Sequence, residues 1–305
     1  MAKGWIPLSV AGAAFAGLMS CAGAEAEGPE PVVAANPVEA GEPAPIVIQG
    51  QISPPDFEYA GELTQGGWIK GSVPYGTVSA TLGGQPLELG DKDREFFAAF
   101  DRDSAGSLTL TAKLANGATY SEELTISPRK WNIQRVNVAK RGGGSSEAWW
   151  KKREPEWLAI KGAREKITGA AGWQQDFIWP VKGRISGQFG RQRIYRGEPG
   201  SYHSGIDIAP GNGVPFVAPA DGVVVLARTG FSLEGNIIMI DHGAGLNSAF
   251  LHASKIAVKE GQSVRQGDHI GNVGATGRAT GPHLHWSLKW NDARLDPLLL
   301  TGPMN

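Results

Sequence analysis

A mainly β protein with one short helical linker is the fold class that three features of this 305-residue sequence predict. Its 43 glycines are scattered without a three-residue period, which is typical of many turns between short strands. Apolar and polar residues alternate over residues 108–126 around Asn116-Gly117, the pattern of a β-hairpin. From residue 178 onward, short Val/Ile runs such as 223–226 and 237–240 are separated by glycines, which predicts a second β domain.

Composition and charge limit the classes of function. A hydrophobic content of 41% is enough for a packed core, and 29 Lys and Arg residues against 30 Asp and Glu residues give a formal net charge of -1. Because no broad positive field exists, we expect no nucleic-acid partner and no electrostatic attraction to an anionic membrane surface.

The N-terminus has the pattern of an export signal. Lys3 is the only charged residue before an apolar stretch from Trp5 to Met19. This stretch is short for a membrane span and has the length of a signal-peptide core. Residues 1–20 are therefore predicted to be a signal peptide, and the protein is expected to be exported.

Cys21 is the only cysteine, so no disulfide can form within the chain and the mature fold must be held by packing and metal alone. It follows Leu18-Met19-Ser20, and this quartet resembles the lipobox of bacterial lipoproteins. The resemblance implies lipidation of Cys21 and a membrane-anchored lipoprotein of the cell envelope, in the periplasm. The alternative is cleavage at Ala22-Gly23-Ala24, which would leave a soluble exported protein.

Two segments precede the linker. Residues 21–45 are rich in Pro, Ala and Glu with little to bury, which predicts a disordered tether. Residues 46–127 carry strand patterns, including the hairpin above, a second hairpin around Gly83-Gly84 and a strand with Phe96 and Phe97. A small β-sandwich is predicted, and because it holds no titratable cluster we interpret it as a spacer or docking module.

Residues 128–177 are predicted to be a linker with one helix. Pro155 divides a mixed-charge segment, which places the predicted helix between Glu156 and Thr168. Three tryptophans lie in or near this helix: Trp149, Trp150 and Trp157. We interpret them as an apolar face docked on the neighbouring domain, with a grip on glycan or on a partner as the alternative.

Residues 178–305 hold all six histidines of the sequence. His203 and Asp207 lie four residues apart, and Gly205 between them is expected to let the chain turn so that both side chains face one ion. Imidazole and carboxylate are both competent zinc ligands. The segment therefore predicts part of a metal site.

His283 and His285 form a second motif, after Gly281-Pro282 and at the start of an apolar run. Alternate residues of a strand point the same way, so both imidazoles are expected on one face. Each motif alone occurs often by chance, whereas their combination is specific. The spacing leaves open which of the two histidines is a ligand.

The order of these motifs resembles the lysostaphin-like (LytM-type) peptidoglycan zinc metalloendopeptidases, whose pattern is HxxxD, an isolated His about midway, and HxH. The similarity spans roughly residues 180–298, about two fifths of the chain. It includes Gly213-Val214-Pro215, Asp221-Gly222-Val223-Val224, Asn236-Ile237-Ile238, Gly267-Asp268-His269-Ile270-Gly271 and Thr276-Gly277. The resemblance implies a duplicated-hybrid-motif fold of antiparallel strands, and an endopeptidase that cuts peptide cross-links or stem peptides of bacterial peptidoglycan.

By position, the resemblance assigns one zinc ion to His203, Asp207 and His285, and it makes His252 and His283 the assisting catalytic histidines. Three protein ligands leave one zinc position open, as catalytic sites do and structural sites do not. The resemblance thus implies hydrolysis by a metal-bound water, with the two histidines exchanging protons.

Four neighbouring residues stand apart from this set. Phe250 occupies a position where the family commonly has tyrosine, and Ala253 replaces a common leucine. His242 lies at a predicted strand end and His269 in a glycine-bounded turn, so both are interpreted as structural rather than as ligands.

Two other functions compete with hydrolysis. One is a catalytically silent cell-wall binding protein that activates a murein amidase, although such relatives have lost metal ligands and every position is filled here. The other is a wall-binding module whose zinc is only structural. We also hypothesise that the region before the catalytic part covers the groove until a regulatory protein partner displaces it, so that deletion of residues 22–172 would raise activity.

Overall fold

Residues 56–90, 94–139 and 146–304 are described by the computed structural model of the chain. The predicted signal peptide, the tether of residues 21–45 and Cys21 lie outside these described residues and stay predictions. Among the described residues, no helix combines the length and the apolar character that crossing a membrane requires.

The N-terminal strands are β1 (Glu58–Gly61), β2 (Trp68–Ser72), β3 (Thr77–Leu82), β4 (Gln85–Pro86), β5 (Glu95–Ala99), β6 (Ser107–Leu114), β7 (Thr119–Thr125) and β8 (Ile133–Val136). They form two small sheets, in the orders β1-β2-β5 and β4-β3-β6-β7, while β8 pairs elsewhere. The hairpin predicted around Asn116-Gly117 is confirmed, because β6 and β7 pair antiparallel up to Lys113 and Thr119. The second predicted hairpin is present, with a return strand of only two residues.

The core runs without a break from these sheets into the C-terminal region. Phe96, Phe97 and Leu110 belong to the same cluster of buried apolar residues as Ile208 and Trp286. Alternation explains the β6 contribution, since Leu110 and Ala112 face the core while Thr109 and Lys113 are exposed. The N-terminal sheets therefore share a core with the sheet that carries the histidines.

The linker helix α1 (Glu147–Arg164) begins nine residues earlier than predicted and runs through Pro155. The prediction of a helix from Glu156 to Thr168 is wrong at both ends. Ser146 caps the helix, since its side chain accepts a hydrogen bond from the backbone N–H of Trp149. Pro155 removes one backbone donor, a loss that tertiary contacts of the neighbouring Arg153 offset.

The tryptophans of α1 do not form its docked face. Trp150 and Trp157 are 51% and 48% exposed, so the interpretation that they dock on the neighbouring domain is wrong for these two residues. The docked face is made instead by Ala159, Ile160 and Ala163, which belong to a second apolar cluster with residues of the C-terminal sheet.

The C-terminal elements are β9 (Arg184–Gly187), β10 (Gln192–Tyr195), β11 (Glu198–Tyr202), β12 (Ile206–Ala209), β13 (Pro215–Val217), β14 (Gly222–Phe231), β15 (Gly235–Gly243), β16 (Leu246–Leu251), β17 (Lys255–Ile256), β18 (Ser263–Val264), β19 (His269–Asn272), β20 (Leu284–Trp290), β21 (Ala293–Leu295) and α2 (Pro297–Thr301), preceded by a 3-10 turn at Gly172–Gln174. The main sheet has the order β18-β14-β15-β16-β20-β12-β9, with β21 on β20. Its pairs are antiparallel, so the predicted mainly β fold with an antiparallel C-terminal sheet is confirmed.

Two smaller sheets flank the main one. β13, β19 and β17 form the first, and β11, β10 and β8 form the second, in which β8 runs parallel to β10. The large core covers one face of the main sheet, and α1 packs over β14 to β16 on the other. The centre of the sheet is thus fixed from both sides.

Candidate metal centre

A row of directly paired residues crosses the main sheet at the predicted ligands. Asp207 in β12 pairs with Gly187 in β9 on one side and with His285 in β20 on the other. His285 pairs in turn with Leu251 in β16, and His252 is the next residue of the chain. Strand register therefore brings residues from distant parts of the sequence to one point.

Three side-chain atoms converge there. His203 Nε2 lies 3.0 Å from Asp207 Oδ1 and 3.0 Å from His285 Nδ1, and the latter two atoms are 2.9 Å apart. Atoms bound tetrahedrally to zinc at about 2.0–2.2 Å are roughly 3.3–3.6 Å from one another, a few tenths of an ångström wider than these separations. Two imidazoles and one carboxylate also suit zinc chemically, so the three residues fit such an ion.

A backbone carbonyl orients the ring of His203. Nδ1 lies 2.9 Å from Gln188 O, and because a carbonyl only accepts, Nδ1 carries a proton and Nε2 faces the centre. Burial would lower the pKa of His203, but the hydrogen bond and the charge of Asp207 outweigh it and raise this pKa. The negative charge of Asp207 therefore makes the His203 ring hold a proton more tightly.

Asp207 and His285 have the charge states that a metal site needs. Burial would raise the pKa of Asp207, yet the hydrogen bonds of His203 and His285 hold it far below its usual range. Burial lowers the pKa of His285. At neutral pH the carboxylate is ionised and the His285 ring is neutral, the forms in which both bind metal ions.

The two remaining predicted histidines lie beside these three residues. The ring centroids of His252 and His283 are 4.9 Å apart, and His283 Nε2 lies 3.7 Å from Asp207 Oδ1. His252 Nδ1 donates to Thr276 O at 2.9 Å, and His283 Nδ1 donates to Gly281 O at 2.8 Å. Both rings therefore present Nε2 as the proton-accepting atom.

His252 has an unusual backbone. Its φ of 67° lies in the left-handed region, which is uncommon for residues other than glycine. Its N–H donates to Glu234 O at 2.9 Å, and burial lowers the pKa of its imidazole. Such strained residues cluster at functional sites, where the surrounding structure imposes them.

The structure thus brings together all five residues named from the sequence. Of the HxH pair, it is His285 whose nitrogen lies within 3.0 Å of the other two converging atoms, whereas His283 approaches Asp207 from farther away. The converging atoms therefore include His285 and not His283, while the roles of the five residues stay a prediction.

Two glycines at the site permit close approaches that sequence reasoning missed. A Cβ on Gly187 would lie 2.2 Å from Asp207 Oδ2, so only glycine leaves room for the carboxylate. Gly205 lies at a bend of the chain between His203 and Asp207, as expected, and a Cβ there would also lie 2.4 Å from Trp286 O and 2.9 Å from His285 Nε2, so the position needs glycine for close approach as well. No local motif marks Gly187, because its contact depends on strand pairing.

The neighbouring residues lie outside the centre. His242 is buried and bonds Asp221 O and Ser248 Oγ, while His269 Nε2 lies 3.0 Å from Gly271 O. These contacts support the structural role expected for both histidines. Phe250 is fully buried and stacks between Phe216 and Trp286, so its ring belongs to the core and not to the site.

Comparisons with known proteins agree with this geometry. Residues 201–297 match the sequence model of Peptidase family M23. Peptidoglycan DD-endopeptidase ShyA of Vibrio cholerae serotype O1 is 44% identical over 116 residues, which are 36% of this chain and 26% of that protein. DD-carboxypeptidase/endopeptidase Mpg of Neisseria meningitidis serogroup B is 40% identical over 126 residues, 39% of this chain and 27% of that protein.

A solved structure extends the similarity beyond the matched region. A Pseudomonas aeruginosa protein assigned to peptidase M23 has a TM-score of 0.61 and 28% identity, over 79% of this chain and 96% of that chain. The C-terminal region of the present chain is therefore a peptidase M23 domain, which confirms the lysostaphin-like resemblance. The chain spans about a quarter of the length of the curated relatives it matches.

Proposed function

We propose that this chain is a zinc-dependent endopeptidase that hydrolyses peptide cross-links or stem peptides of bacterial peptidoglycan. The observation that carries the proposal is the convergence of His203 Nε2, Asp207 Oδ1 and His285 Nδ1, with two further histidines beside them. The names of the relatives ShyA and Mpg, both peptidases of the DD-endopeptidase type, support the substrate class.

One zinc ion would be held by His203, Asp207 and His285. Three protein ligands leave an open position, and a zinc ion bound there supplies Lewis acidity, which polarises a scissile carbonyl and makes water more acidic. The protein's own contribution is to bring the three ligand atoms within 3.0 Å of one another through the fold.

His252 and His283 would move the protons. Their Nδ1 atoms are occupied by Thr276 O and Gly281 O, so each ring offers only Nε2 towards the centre. A neutral imidazole can accept a proton from the attacking water, and the protonated ring can then donate to the oxyanion or to the departing amine. The lowered pKa of His252 keeps its ring neutral and ready to accept at neutral pH.

Digestion of purified sacculi tests the proposal against its two rivals. We expect the wild type to release peptide fragments, a chelator to stop the release, and added zinc to restore it. We expect His252→Ala and His283→Ala each to lower turnover by roughly 10²- to 10⁴-fold, the usual contribution of general acid–base catalysis. A silent amidase activator would release nothing alone, and a structural zinc would leave both variants fully functional.

We also propose that the protein is exported and anchored in the cell envelope through lipidated Cys21. The proposal is supported by the signal-peptide pattern and by Leu18-Met19-Ser20 before the cysteine. Radiolabelled palmitate should appear in the wild type and be lost in Cys21→Ala. A wild type without label would instead favour cleavage at Ala22-Gly23-Ala24 and a soluble form.

A further inference from the structure

Helix α1 lies before residues 201–297, the segment that matches the peptidase family. Although it is outside this segment, it binds a turn next to the candidate site. Arg153 of α1 donates from Nη1 and Nη2 to the two carboxylate oxygens of Glu234, each at 2.7 Å. The two side chains are only 10% and 13% exposed. A bidentate ion pair that is shielded from water is strong, and its two parallel hydrogen bonds fix the relative orientation of the two side chains.

A second helix residue holds the same turn, which joins β14 to β15. Glu156 accepts hydrogen bonds from the N–H and the hydroxyl of Ser232, at 2.8 Å and 2.5 Å. Arg153 also donates to Glu156 at 3.0 Å, so two helix residues and two turn residues form one network. The turn therefore has a single position relative to α1.

This turn is hydrogen-bonded to the backbone of His252. The carbonyl of Glu234 accepts the backbone N–H of His252 at 2.9 Å. That bond matters because His252 has φ 67°, a conformation that persists only where the surrounding structure imposes it. The backbone of His252, a candidate catalytic residue, is thus hydrogen-bonded to Glu234, the residue that Arg153 binds.

The ring of His252 depends on the same hairpin. Its Nδ1 donates to Thr276 O at 2.9 Å, and Thr276 Oγ1 accepts from the N–H of Asn236 in β15 at 2.9 Å. Gly235 lies so close to Thr276 that a Cβ there would be 2.3 Å from Oγ1. A shift of the turn would therefore reach both the backbone and the ring of His252.

We propose that Arg153 is a positioning residue for His252: through Glu234 it fixes the turn, and the turn fixes the left-handed backbone and the ring of His252. The inference rests on the proposed function, in which His252 exchanges protons with the substrate. It gives α1 a supporting role in turnover, whereas the covering role hypothesised from the sequence would make its removal an activation.

The test compares Arg153→Met and Arg153→Lys with a matched control, Arg228→Met. Arg228 also pairs with a glutamate, Glu260, with Nε 2.7 Å from Oε1, but the two side chains are 59% and 31% exposed and belong to no network at His252. Four quantities are measured: kcat and KM on a defined muropeptide, the zinc content, and the hydrogen-exchange rate of the His252 amide without substrate.

Arg153→Met should lower kcat by roughly 10- to 100-fold, because small misplacements at a reacting centre have effects of that size. KM and zinc content should stay near the wild-type values. Exchange of the His252 amide should accelerate at least about tenfold while amides of β20 keep their protection. Arg153→Lys should restore part of both effects, since it retains a charged donor, and Arg228→Met should match the wild type.

Wild-type kcat and wild-type His252 exchange in Arg153→Met would overturn the proposal. Loss of zinc and faster exchange throughout β20 in both Arg153 variants would also overturn it, because Arg153 would then serve overall stability. The exchange measurement needs no turnover, so a wild type that cleaves nothing would refute the proposed function while the His252 amide still decides the role of Arg153.

Discussion

Asp207 and His285 are directly paired across β12 and β20, and Oδ1 of the carboxylate lies 2.9 Å from Nδ1 of the imidazole. The two strands belong to the main sheet, whose one face is covered by the large core and whose other face is covered by α1 over β14 to β16. The register of β12 and β20 therefore sets how the two side chains lie relative to each other.

Replacement of Asp207 by asparagine should weaken zinc binding by at least about 100-fold, since the variant keeps the shape of the side chain but loses the charge that faces the ion. Zinc affinity measured by competition with a chromophoric chelator checks this. Asp292→Asn is the control, because Asp292 is exposed and pairs with Lys289 instead. Equal zinc affinity in wild type and Asp207→Asn would remove Asp207 from the ligand set.

Gly187→Ala should impair the site without adding or removing a polar group. The new Cβ would lie 2.2 Å from Asp207 Oδ2 and 3.1 Å from His203 Cε1, so the carboxylate or the strand must move. We expect zinc affinity to fall by about tenfold or more. Gly106→Ala, where a Cβ meets nothing within 4 Å, should bind zinc like the wild type. Wild-type zinc affinity in Gly187→Ala would show that the site tolerates a shift of the Asp207 carboxylate.

The left-handed backbone of His252 predicts that glycine stabilises the fold more than alanine does at this position. Both His252→Ala and His252→Gly should lose turnover, but the glycine variant should be the more stable by about 1 kcal/mol, because glycine adopts φ 67° without strain. Urea unfolding of the two variants measures the difference. At Thr109, an exposed strand position, the same comparison should have the opposite sign. A more stable His252→Ala would contradict the account.

His242 predicts a pH dependence of stability. Burial lowers the pKa of its imidazole from the usual 6.5 to about 4. Between pH 6.5 and pH 4, His242 binds a proton in the unfolded chain but not in the folded chain. The free energy of unfolding therefore falls as the pH drops from 6.5 towards 4. The loss attributable to His242 amounts to about 3 kcal/mol.

Urea unfolding of the metal-free protein at pH 7.5 and pH 4 checks this value. His242→Gln serves as the reference, since it retains the other titratable groups. The wild type should lose about 3 kcal/mol more than this variant over the same interval. Parallel losses in the two proteins would show that His242 titrates normally in the fold.

The parts of the site that follow from local spacing were predictable from the sequence. HxH places His283 and His285 on one face because alternate residues of a strand point the same way, and HxxxD brings His203 and Asp207 together across the bend at Gly205. The pairing of β12 with β20, which brings the two motifs together, does not follow from local spacing. The isolated His252 had no local signal and was named only through the order of motifs in a known family. Its left-handed backbone and its bond to Glu234 arise from tertiary packing, which no spacing rule describes.

Helix α1 shows where local rules fail. Pro155 predicted a helix start, because proline lacks the donor that a helix interior needs. The structure continues the helix through it, since Arg153 and Glu156 on either side bind the β14–β15 turn. The exposure of Trp157 could not be predicted either, because the docked face of a helix can be identified only when its neighbour is known.

In the proposed function, a zinc ion held by His203, Asp207 and His285 serves to cut peptides of peptidoglycan. Mass spectrometry of muropeptides from sacculi digested by the protein is the sharpest test of this proposal. New peptide termini are expected with the zinc-loaded wild type, none after chelation or with His285→Ala, and their return when zinc is restored to the wild type. Identical fragments from His285→Ala, or intact cross-links and stem peptides with the zinc-loaded wild type, would contradict the proposal.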